Sequence, residues 1–75
     1  MPAHLPDISV IITTCNRAEH MRQTLDAMAT TRVPRGLSAE LVVVDNASTD
    51  STAEVIQAGR LDNLALRYLH EPHPG

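Results

Sequence analysis

The run Leu41-Val42-Val43-Val44 limits the possible folds of this chain more than any other feature. Four consecutive aliphatic side chains, bounded by Glu40 and Asp45, do not alternate as a half-exposed strand would. They fit a strand from Glu40 to Asp45 in a parallel sheet, buried on both faces, which predicts helices on both sides of that sheet. A similar β-branched run precedes it, from Asp7 to Thr14. Between the two, Ala18 to Thr31 changes period. Met21, Leu25, Met28 and Ala29 fall on one helical face, with Arg22, Gln23 and Asp26 elsewhere on the surface. Asn16 or Thr14 is the expected cap of this helix, and Val33-Pro34-Arg35-Gly36 ends it.

After the second strand, Asn46-Ala47-Ser48-Thr49-Asp50-Ser51 is rich in turn and cap formers. Ser51-x-x-Glu54 fits a capping box, with Thr49 as a rival cap, for a second helix running to about Gln57. Gly59 is its expected C′ residue. Leu64 to Leu69 reads as a third strand, with Leu64, Leu66 and Tyr68 alternating against Ala65, Arg67 and Leu69. The tail Glu71-Pro72-His73-Pro74-Gly75 cannot continue a strand interior. The fold class is therefore α/β: a partial Rossmann-like βαβαβ unit with parallel strands in order 3-2-1. That order leaves one edge of the first strand open. An unpaired apolar edge is an association hazard, so residues 1–75 are expected to be a fragment of a longer chain, a homo-oligomer, or both.

Composition excludes several classes. The 75 residues are 43% hydrophobic and 20% charged, as in a globular protein, with no Phe or Trp and a single Tyr. One cysteine permits neither an internal disulfide nor a Cys-cluster zinc site, which makes an intracellular, reducing compartment the default. No apolar run approaches a membrane span, and Met1-Pro2-Ala3-His4 does not read as a signal peptide. The net charge of −3 and the lack of a basic run argue against nucleic acid as a partner. All six basic residues are Arg, so the chain offers neither a P-loop nor a Schiff-base lysine. The histidines His4, His20, His70 and His73 are scattered, and Pro72 spoils His70-x-x-His73 as a helical metal pair.

Ligands of parallel sheets bind outside the carboxyl ends of the strands. Two polar segments fall there: Thr13-Thr14-Cys15-Asn16-Arg17 and Asp45-Asn46-Ala47-Ser48-Thr49-Asp50. Adjacent strands stand about 4.8 Å apart, so the two segments should face one crevice. Their hydroxyls, amides, Arg17 and carboxylates suit a nucleobase with its ribose, and free N–H groups at two helix starts would favour a phosphate. No Gly lies between the first strand and the first helix, so the dinucleotide fingerprint is absent.

Ile8 to Arg17, followed by Leu41 to Thr52, resembles the amino-terminal part of the family 2 glycosyltransferases, from about Asp7 to Gly75. The resemblance implies a GT-A fold and a UDP-, dTDP- or GDP-linked sugar as donor. It makes residues 1–75 the amino-terminal half of a nucleotide-sugar-binding domain. It puts Thr13 beside the base and Cys15 where the family usually stacks an aromatic ring. Asn16-Arg17 matches the family's turn into helix 1, and Asp45 matches the acid that ends strand 2. Asn46 stands where many members have a second acid that accepts from the base, and Ser48-Thr49 matches the loop before helix 2. The family's metal-binding Asp-x-Asp, which would carry magnesium or manganese, follows a later strand, as does its catalytic base. No Asp-x-Asp occurs here. The resemblance thus implies the donor-binding portion of an inverting enzyme, inactive alone, cytoplasmic, and open to peripheral membrane placement in a longer protein. Two other readings compete: a non-catalytic α/β module that self-associates through strand edges, and a response-regulator or flavodoxin-like domain. The latter lacks the paired acids expected after strand 1.

Overall fold

The computed structural model describes residues 5–73. The readings of Met1 to His4 and of Pro74-Gly75 lie outside the described residues. Five elements follow in order: β1 (Ile8–Thr14), α1 (Ala18–Met28), β2 (Ala39–Asn46), α2 (Thr52–Ala58) and β3 (Ala65–Glu71). The three strands form one parallel sheet with β2 in the centre. The α/β class, the βαβαβ unit and the linear strand order agree with the sequence.

The helices do not cover both faces. Met21 and Leu25 of α1, Ile56 of α2, Leu41 and Val43 of β2, and Leu64 make one core cluster. Both helices therefore pack on the face carrying Leu41 and Val43. Two crossovers of the same hand, stepping in the same direction across a sheet, must place both helices on one side. The aliphatic run forms the central strand, but burial of Val42 does not require a helix. Its register partners Ile11 and Arg67 flank it on the opposite face, where Ile11 is 66% exposed. On that face Glu40 accepts a 2.6 Å hydrogen bond from the Ser9 hydroxyl and pairs with Arg67 at 3.4 Å. These contacts hold the Glu40 carboxyl below its ordinary pKa, with the Ser9 bond the larger cause.

The ends of the elements were less legible. Helix α1 stops at Met28, not Thr31, because Asn63 donates its side-chain N–H groups to the carbonyls of Met28 and Thr31. Strand β3 extends to Glu71, whose carbonyl accepts from the Ala47 N–H at 2.8 Å, and Pro72 follows it. Gly59 follows α2 but is not left-handed: its φ is −64°. Its lack of a side chain serves packing, since a Cβ there would stand 3.1 Å from Leu25 Cδ1, Leu66 Cδ2 and the Ile56 carbonyl oxygen.

Candidate functional site

Parallel register brings Thr14 opposite Asp45, so the segments after β1 and β2 leave the sheet side by side. Side chains then stitch them together. Asn16 adopts a positive φ of 51°, a conformation Asn tolerates better than most residues. Its Oδ1 accepts from the backbone N–H of Thr49 at 2.7 Å and of Asp50 at 3.2 Å. Its own backbone N–H donates to Ser48 Oγ at 2.9 Å, and the Arg17 N–H donates to Thr52 Oγ1 at 3.0 Å. The Thr52 hydroxyl and backbone N–H both donate to Asp50 Oδ1, at 2.5 and 2.9 Å. These two bonds, with a smaller contribution from the Ala18 amide, keep the Asp50 carboxyl below its usual pKa.

This lattice corrects the capping expectations. Arg17 is the N-cap of α1 and Ser51 that of α2, and neither side chain caps its helix. Asn16 spends its oxygen on the other loop. Asp50, rather than a Ser51-Glu54 box, serves the start of α2. The amides expected to be free for a phosphate at the helix starts are largely occupied by these protein oxygens.

Above the strand ends lies an open hollow of about 160 Å³ lined by Thr13, Thr14, Cys15, Arg17 and Asn46. The remaining expected site residues lie around it. Asn16 and Ser48 tie the loops, as just described. Asp45 is 1% exposed and is not among the residues lining the hollow; its Oδ2 accepts from the Tyr68 hydroxyl at 2.9 Å. Burial, then the Asp45 bond and charge, raise the Tyr68 pKa, so the hydroxyl keeps its proton. Asp50 stands in the polar segment expected at the crevice, whereas Tyr68 and Thr52 were not among the expected site residues. The signal for Tyr68 was its alternation with Arg67, which turns the chain's single aromatic side chain toward the same face as Asp45.

A larger open groove, about 340 Å³, lies between the helices and is lined by Arg22, Leu25, Asp26, Ala29, Val55, Ala58, Gly59 and Arg60. It runs along the later turns of α1 and α2, away from the carboxyl ends of the strands. The smaller hollow is the candidate site because it lies where open α/β sheets bind ligands. Among the described residues no group of three His, Cys, Asp or Glu side chains could hold a metal ion. Among the described residues no helix is long and apolar enough to cross a membrane.

The family model described as glycosyl transferase family 2 matches residues 9–75, which take in all of the described strands and helices except Ile8, and the residues lining the hollow. The chain belongs to glycosyl transferase family 2. This family 2 chain is 37% identical over 68 residues to glycosyltransferase AglE of Haloferax volcanii, a match covering 88% of the chain and 22% of that relative. It is 36% identical over 74 residues to a validoxylamine A glucosyltransferase of Streptomyces hygroscopicus subsp. jinggangensis, covering 97% of the chain and 17% of the relative. The corresponding enzyme of subsp. limoneus gives 35% over 74 residues, 97% and 16%. The chain thus spans about a fifth of the length of the curated relatives it matches. No solved structure matches at a significant level.

Proposed function

We propose that this chain binds the nucleotide end of a nucleotide-diphosphate sugar in the hollow at the ends of β1 and β2. In that reading it serves the donor side of an inverting sugar transfer to an acceptor that its residues do not specify. The observation that carries the reading is the convergence of Thr13, Thr14, Cys15, Arg17 and Asn46 from two stitched loops on one hollow, in a glycosyl transferase family 2 chain.

The parts divide by chemistry. Asn46 offers the base both a carbonyl acceptor and an amide donor. Thr13 and Cys15 supply the polar and polarisable wall beside the base. Cys15 is exposed and polarisable, but it offers less stacking area than an aromatic ring. Arg17 supplies a cation for a phosphate oxygen. A hollow of about 160 Å³ is smaller than ordinary ligand pockets of roughly 300–1,000 Å³, so it suits one portion of a donor.

Displacement of a diphosphate needs a magnesium or manganese ion, or an equivalent positive group, and a base for the acceptor proton. The described residues do not fit a metal centre, and none of them is assigned as that base. The chain by itself is therefore proposed to bind and not to transfer. A free, exposed Cys15 suits a reducing compartment, and the proposed location is the cytoplasm.

Calorimetry with UDP, dTDP and GDP, with and without manganese, tests the reading. The expected result is weak, saturable binding of at least one nucleotide that Asn46→Ala reduces about tenfold. No binding of any nucleotide, with a stable dimer seen by light scattering in the same samples, would favour the self-association reading. The apolar edge of β1 supports that rival, since Ile8, Val10 and Ile11 are exposed there.

A further inference from the structure

We infer that Tyr68, on the neighbouring strand β3, is a positioning residue that holds Asn46 at the hollow through the buried carboxyl group of Asp45. The consequence for binding rests on the nucleotide reading above; the geometry stands apart from it. Asp45 precedes Asn46 directly and is almost wholly buried. Its Oδ2 accepts from the Tyr68 hydroxyl, while its Oδ1 is buried with no hydrogen-bond partner among the described residues. A buried carboxylate that has one side-chain donor depends heavily on that donor. The Tyr68 ring packs against the core cluster, so its hydroxyl is held in place from below.

The residue after Asn46 makes such a restraint necessary. Ala47 has a φ of 59°, and a side chain tolerates that region only where its surroundings impose it. Strand β3 imposes it twice: the Glu71 carbonyl accepts the Ala47 N–H at 2.8 Å, and Tyr68 holds Asp45 two residues earlier. Asn46, which lines the hollow, lies between these ties.

Tyr68→Phe removes one oxygen and keeps the ring. Amide hydrogen exchange at Asn46 and Ala47 is expected to accelerate about fivefold or more, with the helices and the rest of the sheet still protected. The dissociation constant for UDP is expected to rise about tenfold, while that for ribose 5-phosphate, which lacks the base, stays unchanged. General loosening would weaken both ligands together. If the unaltered chain binds UDP, and Y68F binds it equally with unchanged exchange at Ala47, the inference is overturned. Equal weakening of UDP and ribose 5-phosphate overturns it as well. If the unaltered chain binds neither, the nucleotide reading fails, and exchange at Ala47 alone decides the inference. Should Y68F not fold, Asp45→Ala keeps the ring and removes the acceptor. It must then show the same local acceleration, and normal exchange at Ala47 would refute the tie.

Discussion

Ala47 sits in left-handed backbone with a φ of 59°, where a Cβ crowds the following carbonyl at a cost of about 1–2 kcal/mol. Glycine there would relieve the crowding but lose about 0.5–1 kcal/mol more conformational entropy on folding. Ala47→Gly is therefore expected to stabilise the chain by about 0.5–1 kcal/mol, raising Tm by a few degrees in a thermal melt. An unchanged or lower Tm would mean that the turn is not strained. Asn16, also at positive φ, should not gain in the same way, because its Oδ1 holds two amides of the opposite loop. The turn-forming nature of Asn16 and Asn46-Ala47 was plain in the sequence, and so was their place at strand ends. That Asn16 reaches across to Thr49 and Asp50 was not, because a residue that can cap its own helix gives no local sign of a partner 33 positions away. Asp45 shows the same limit. An acid closing an aliphatic strand reads as a ligand contact, and only the alternation of the sheet reveals which face it takes.

Helices α1 and α2 meet over the same face of the sheet, and Gly59 sets how closely their layer approaches β3. Its φ of −64° is open to any residue, so alanine meets no backbone penalty there. It does meet three atoms at 3.1 Å, one of them the Ile56 carbonyl oxygen. Overpacking of this kind costs about 1–3 kcal/mol, against an entropic gain of about 0.4–1 kcal/mol for Gly→Ala. Gly59→Ala is expected to destabilise by about 1 kcal/mol in chemical denaturation; a gain in stability would show that the helices can shift apart freely. The sequence marked Gly59 as a helix terminator, and the chain does end α2 there. It could not show the packing reason, which depends on Leu25 and Leu66 arriving from other elements. Existence and type were legible for all five elements because each has a sustained period. Their ends were not, since the stop of α1 is set by Asn63, 35 residues beyond Met28.

The described residues form a three-stranded sheet with both helices on one side and two unlike edges. The edge strand β3 carries Arg67, His70 and Glu71 and is followed by Pro72, all features that discourage pairing. The edge strand β1 has no charge and no proline from Ile8 to Thr14. The strand order and the open apolar edge of β1 were legible in the sequence, whereas the protected character of the β3 edge was not drawn from it. The face left without a helix did not follow, because burial of Val42 by neighbouring strands resembles burial by a helix when only its hydrophobicity is seen. At this scale the proposed function makes the stitched ends of β1 and β2 one nucleotide-binding wall. Titrating the isotope-labelled chain with UDP, while following every backbone amide by NMR, tests it most directly. Saturable shifts are expected to concentrate at Thr13, Thr14, Cys15, Arg17 and Asn46. Shifts confined to the groove of Arg22, Asp26 and Arg60 between the helices would contradict it.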